Sequence, residues 1–230
     1  MTPILSDAKQ GSSAWHDARL GVVTASRVAD VVTLTGKATK SAARQRYMQE
    51  LLFERLTGRE ANSFVTPAME RGTMLEPQAR AWYELTADTD VLQVGFVTCE
   101  ELKGRAGCSP DGLVGDARGL EIKCPMPVNI IGLLLEDDAE AAKDYAAQIQ
   151  FCMWICARTE WDLVLFSDEQ GIPSRIITIA ADPVLHAAFA EHIPAFCAEL
   201  DASEAKLRAM GGGINRATAM RDQYAEFTKQ

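Results

Sequence analysis

The chain has 230 residues, 47% of them hydrophobic and 24% charged, with a net charge of −9. That length can bury a sizeable core, and the composition excludes a disordered or low-complexity chain. The acidity excludes a protein that binds nucleic acid through bulk charge alone. No apolar run reaches the ~18 residues of a membrane span. The opening Met1-Thr2-Pro3-Ile4-Leu5-Ser6-Asp7 lacks the pattern of a secretory signal, so a cytoplasmic protein is expected. The six cysteines form no CxxC pair and the three histidines stand at no zinc spacing, which argues against a zinc site or a disulfide framework.

In chain order, helical periodicity covers about 12–32, broken near Gly21, with Thr24 as a second N-cap. Ser41 to Thr57 reads as an amphipathic helix stopped by Gly58. Thr66-Pro67 opens a helix to about Leu85, with proline in its first turn. Apolar, β-branched runs at 91–98, 105–108, 112–114 and 119–124 read as strands. A helix is expected over 139–157, with Cys152 and Cys156 in the core. Strands follow at 160–167 and 174–180, then a helix over 183–209 ended by Gly211-Gly212-Gly213. The tail from Ile214 is polar. The pattern predicts a single α/β domain over 1–230, a central mixed sheet flanked by helices. Residues 27–59 carry seven basic and three acidic residues, a local +4. They form either a solvated helix face or a wall along a nucleic-acid path.

The most informative stretch is Ser109-Pro110-Asp111-Gly112, followed by Leu120-Glu121-Ile122-Lys123. The turn signal Gly115-Asp116-Ala117-Arg118-Gly119 between them predicts one β-hairpin. Glu121 and Lys123, two apart, share a strand face, while Ile122 points into the core. Two carboxylates can hold a hard divalent cation, which polarises a phosphate and acidifies a water. A lysine beside them can orient that water or balance an anionic transition state. Taken alone, an acid and a lysine two apart more often mark a solvated strand face.

The neighbouring motifs narrow the reading. Pro110-Asp111 with Glu121-Ile122-Lys123 resembles the PD-(D/E)xK nuclease signature. The stretch from Trp15-His16-Asp17-Ala18-Arg19 to Ser26 is similar to the amino-terminal motif of the lambda exonuclease and YqaJ-type viral recombinases. Cys108 to Leu113, Gly119 to Pro125, and Tyr145 to Trp154 match that family in order and spacing, over about residues 10–200. The resemblance implies a restriction-endonuclease-like core and a Mg²⁺-dependent 5′→3′ exonuclease acting on linear double-stranded DNA. It implies two ions, with Mn²⁺ able to substitute. Asp111, Glu121 and the Ile122 carbonyl would ligate metal, Lys123 would activate water, and Glu76 and Gln148 would assist. Arg19, Ser26 and Ser109 would hold a 5′ phosphate, and Met69 would part the terminal base pair. A ring-shaped homotrimer and a single-strand annealing partner are implied as well.

Several of these residues also have bland readings. Met69, Thr73, Glu76 and Arg80 share a helix face, yet Met69 could be core and Glu76 merely solvated. Arg19 could pair with Asp17 or Asp30, and Trp15 reads as packing. Gln148 and Gln150, two apart on a helix, cannot face one site, so Gln150 is assigned a structural role. Two departures from the family bear on duplex tracking rather than chemistry: residues 36–42 offer Lys37 and Lys40 but no arginine, and the segment after Pro125 is acidic and apolar. Two rivals remain, an endonuclease of the same fold and a non-catalytic DNA-binding scaffold.

Overall fold

A computed structural model describes residues 1–61 and 66–210. One sheet comprises β1 (Pro3–Leu5), β2 (Val23–Thr24), β3 (Val97–Cys99) and β4 (Ala106–Cys108), in the order β1-β3-β4-β2. Within it β2 runs parallel to β4, and the other pairs are antiparallel. The second sheet holds β5 (Gly112–Val114), β6 (Arg118–Lys123), β7 (Glu160–Leu165) and β8 (Arg175–Ala180), in sequence order. Here β6 and β7 are parallel. The α/β class is as expected, but the single central sheet is two mixed sheets. The division falls at Ser109–Asp111, where Pro110 has no N–H to extend a ladder. The Asp111 N–H reaches the Leu120 carbonyl instead, at 3.1 Å.

Seven α-helices are described: α1 (Ser13–Arg19), α2 (Ala42–Thr57), α3 (Pro67–Ala87), α4 (Pro127–Leu135), α5 (Asp138–Ala142), α6 (Ala146–Cys156) and α7 (Pro183–Met210). Ser12, Ser41 and Thr66 cap the first three, each accepting from an N–H in the first turn. Gly58 ends α2 with a φ of 64°, a conformation glycine adopts without strain. The larger core lies around α6, where Ile149, Phe151, Cys152, Met153 and Ile155 are fully buried against the first sheet and α7. Burying such a side chain contributes roughly 1.5–3 kcal/mol. A second core packs Leu75, Ala79 and Tyr83 of α3 on Leu120, Ile122 and Cys124. Strand β6 is therefore covered on both faces, by α3 on one and α6 on the other. Beside it the Trp161 ring of β7 lies over Gly119, where a Cβ would meet it at 2.2 Å.

Four local expectations are corrected. The second helix expected after Gly21 is β2 and a 3₁₀ turn over Ala25–Asp30, and Thr24 makes no side-chain cap. Val23, a β-branched residue, pairs with Ala106 instead. The run 91–98 shortens to β3 and a single bridge from Leu92 to Leu113, because Gly95 passes against the Ser6 and Ala8 carbonyls with no room for a Cβ. The helix expected over 139–157 breaks into α5 and α6, leaving Tyr145 as the residue before α6. The apolar segment after Pro125 is α4, which the periodicity did not reveal; it exposes Val128 and Leu135 and buries Ile130. All six cysteines are buried and free. Among the described residues no helix is long and apolar enough to cross a membrane. The glycine stop at 211–213 and the polar tail lie outside the described residues.

Candidate active site

The β5–β6 hairpin brings the predicted acids together. Asp111 immediately precedes β5, and the pairing of Gly112 with Leu120 sets it beside Glu121. The Asp111 Oδ2 accepts the Ile122 N–H at 2.6 Å. Within a strand one residue's N–H and C=O point to the same side, so the Ile122 carbonyl also opens toward Asp111. Glu121 is 2% exposed. Its Oε1 receives Lys123 Nζ and Gln148 Nε2, each at 2.6 Å. Its Oε2 is buried without a partner among the described residues. The break before α6 places the Tyr145 ring 5.3 Å from Lys123 Nζ. Glu76 accepts from Arg80 Nη2 one turn away on α3, and Arg80 Nε donates to the Asp111 carbonyl at 3.3 Å.

Burial pushes the Asp111 carboxyl well above its ordinary range, and the charges of Glu121 and Glu76 push it further. Burial works against the Lys123 ammonium, but Glu121 and Asp111 outweigh it and hold that pKa above the usual lysine value. Anionic charge crowded on one hairpin, with one carboxylate oxygen buried and unpartnered, fits a divalent cation held through oxygen. Among the described residues no three His, Cys, Asp or Glu side chains gather at a point that could hold a metal. The donors that could hold one here are the carboxylates of Asp111 and Glu121 and the Ile122 carbonyl.

Arg19, Ser26 and Met69 line a pocket of about 330 Å³. Arg19 Nη1 donates to Ser109 Oγ at 2.8 Å, and its guanidinium lies 4.2 Å from the Trp15 ring and 5.7 Å from that of Phe96. Burial lowers its pKa from the usual arginine value, although the group remains charged. The pairing with Asp17 or Asp30 is absent among the described residues; Asp30 binds Arg27 instead. Ser26 is exposed and lies 3.5 Å from the Thr24 hydroxyl. Met69 is 55% exposed, so it is not a core residue. The pocket's carboxylates are engaged elsewhere: Glu50 with Arg27 and Arg46, Glu54 with the Gly21 and Ala61 N–H groups, and Glu60 with His16.

The basic stretch is largely neutralised within the fold. Arg27 and Arg46 pair with Glu50, Arg44 with Glu199, and Arg55 with Asp201 and Glu204. Four of its five arginines thus hold carboxylates. Gln150 is structural, bonding the Ala180 carbonyl and the Asp182 N–H, each at 2.8 Å. Sequence reasoning passed over three contacts. Arg80, at i+4 from Glu76, was legible as its partner. Gln10, whose Nε2 donates to the carbonyls of Val94 at 3.0 Å and Pro110 at 2.8 Å, carried no local signal. Nor did the bond from Trp15 Nε1 to Ser109 Oγ at 3.0 Å.

The family model of the YqaJ-like viral recombinase domain matches residues 14–160. No curated protein matches the chain. An alkaline exonuclease from Laribacter hongkongensis, LHK-Exo, is 37% identical. Its structure in complex with dAMP covers 88% of this chain and 100% of its own, with a TM-score of 0.77; a second LHK-Exo structure has the same coverage and a TM-score of 0.76. A phage-related exonuclease from Haemophilus somnus 129PT shares the fold at 18% identity and a TM-score of 0.65, covering 81% of this chain and 96% of its own. With well over half its length matched, the chain belongs to the YqaJ-like viral recombinase family.

Proposed function

We propose that this protein is a Mg²⁺-dependent nuclease that degrades linear double-stranded DNA from 5′ to 3′, releasing 5′-mononucleotides and leaving 3′ single strands for recombination by annealing. One observation carries the reading: Glu121, next to Asp111 on the hairpin, holds Lys123 and Gln148 on one oxygen, while its other oxygen is buried with no partner among the described residues. A cation bound there would polarise the phosphate as a Lewis acid and lower the pKa of a bound water. Asp111, Glu121 and the Ile122 carbonyl would hold it. Lys123, kept charged by the two acids, orients the attacking water and balances charge on the phosphate. Gln148 fixes the Glu121 carboxylate. Arg80 restrains Glu76, whose charge is felt at Asp111 and which would assist a second ion. The capture of LHK-Exo with dAMP, a deoxynucleoside monophosphate, supports mononucleotide release here.

Arg19, Ser26 and Ser109 would receive the terminal 5′ phosphate, with Met69 exposed at the pocket rim to part the end base pair. Assembly as a ring-shaped homotrimer, work beside a single-strand annealing protein, and a cytoplasmic site of action rest on the family resemblance. The experiment is digestion of a closed circular plasmid and its linearised form with Mg²⁺, and with EDTA as control. Loss of linear DNA alone supports the exonuclease. Opening of the circle would replace it with the endonuclease, and survival of both forms would leave a scaffold.

A further inference from the structure

We infer that Trp15 is a positioning residue that fixes Ser109, which is bonded to two residues lining the pocket, as a hydrogen-bond donor to the bound phosphate; this rests on the reading of that pocket as the 5′-phosphate site. Ser109 Oγ receives two donors, Trp15 Nε1 at 3.0 Å and Arg19 Nη1 at 2.8 Å. A hydroxyl offers two lone pairs and one hydrogen, while indole and guanidinium nitrogens are donors only. Both lone pairs are therefore occupied, and no ambiguity of donor and acceptor remains. The Ser109 hydrogen must point away from both, and among the described residues Ser109 Oγ has no acceptor for it. The partner this arrangement accepts is an acceptor-only anion. A terminal phosphate is one, and the N–H groups of Arg19 other than the one given to Ser109 have no acceptor among the described residues.

A second observation separates this role from packing. Helix α1 has no buried residue, and Trp15 belongs to neither core cluster. Its ring meets the Ser109 hydroxyl, the Arg19 guanidinium at 4.2 Å and the edge of the neighbouring His16 ring at 4.8 Å. One indole thus sets the plane of the cation with its face and the direction of a hydroxyl with its edge. Each donor also polarises the hydroxyl, strengthening the bond that it gives.

The test is a double-mutant cycle on wild type, Trp15→Phe, Ser109→Ala and the double variant. Phenylalanine keeps a smaller aromatic face for Arg19 and removes the N–H, and the Ser109→Ala background separates that loss from the change in ring size. The readout is the ratio of kcat/KM on linear duplexes with 5′-phosphoryl and 5′-hydroxyl ends. Trp15→Phe should lower that ratio about 2- to 10-fold, the range of one neutral hydrogen bond. In the Ser109→Ala background it should lower it no further, because the hydroxyl it directs is gone. Equal effects in both backgrounds, or an unchanged ratio in Trp15→Phe, would overturn the inference while leaving the phosphate pocket standing. A wild type that digests both ends equally would overturn the pocket and the inference together. A second readout needs no variant: with ¹⁵N-tryptophan in the wild type, one of the four indole N–H signals should shift with a 5′-phosphorylated oligonucleotide and not with its 5′-hydroxyl twin. Four signals that respond identically to both would count against the inference.

Discussion

Replacing Asp111 by asparagine should separate the metal site from the fold. The asparagine carbonyl can keep the Ile122 N–H, which Asp111 now accepts at 2.6 Å. The change removes one of the anions crowded on the hairpin. Two unit charges about 5 Å apart repel by about 3 kcal/mol at an effective dielectric of ~20. The attraction of Lys123 for Asp111 offsets part of this, so the metal-free variant should gain about 1–2 kcal/mol. For a domain of this size that is a rise in melting temperature of roughly 2–8 °C. Wild type should behave in the opposite way toward Mg²⁺. At a concentration of ~100 Kd, the ion stabilises it by about 2.7 kcal/mol, roughly 5–11 °C, and the variant should show almost none of this. Digestion of linear duplex should fall at least ~100-fold. The assay is a pair of thermal melts for each protein, in EDTA and in Mg²⁺, beside the digestion rate. A variant that melts below wild type in EDTA, or that keeps the Mg²⁺ response, would refute the crowded-carboxylate account.

Lys123→Arg should not restore the loss of at least ~100-fold seen in Lys123→Ala, because a planar guanidinium cannot occupy the compact position between Glu121 and Tyr145; single-turnover rates with DNA binding measured in parallel would decide. Arg19→Ala should remove about 10- to 150-fold of the preference for 5′-phosphoryl ends, the worth of a charged hydrogen bond, read as initial rates on both ends. Gly119→Ala should destabilise by roughly 1–3 kcal/mol or more, since the new methyl meets the Trp161 ring, and the urea midpoint would show it. Burial opposes the ionised form of Asp201, but Arg55 and Arg105 outweigh it and hold its carboxyl below the ordinary 3.8. The stability it contributes is complete above that value and is lost as pH falls through the folded one. Asp201→Asn should therefore cost no more than about 1 kcal/mol at pH 7, the side chain being 42% exposed. Its unfolding midpoint should converge on that of wild type as the pH falls below 3.8; a gap that persisted there would refute the linkage.

What the sequence revealed follows the range of the interactions involved. The hairpin was readable because its turn and both strands lie within about a dozen residues. The caps at Ser12, Ser41 and Thr66 and the stop at Gly58 were equally local. Thr24 misled because pairing of Val23 with Ala106, over eighty residues away, overrode a sound capping signal. Helix α4 escaped notice because its apolar residues run consecutively, and a run without periodicity does not announce its secondary structure. Arg44 and Arg55 of α2 looked like part of a nucleic-acid wall because their carboxylates are set far off in the chain, on α7. The bond between Trp15 and Ser109 spans 94 residues, and no local pattern could have exposed it.

The crossing between the two sheets has a consequence for arithmetic. Ser109 and Asp111 sit on either side of Pro110, whose φ is fixed by its ring and whose carbonyl is pinned by Gln10 at 2.8 Å. An extended chain spans at most ~3.3–3.6 Å per residue, so this link reaches about 7 Å at most. On the proposed reading, one end of the link seats the strand's terminus and the other addresses the bond to be cut. The length of the released fragment is then a covalent dimension of the protein, independent of turnover rate. An inserted residue at Pro110 would alter the gauge itself, changing what is counted rather than how fast.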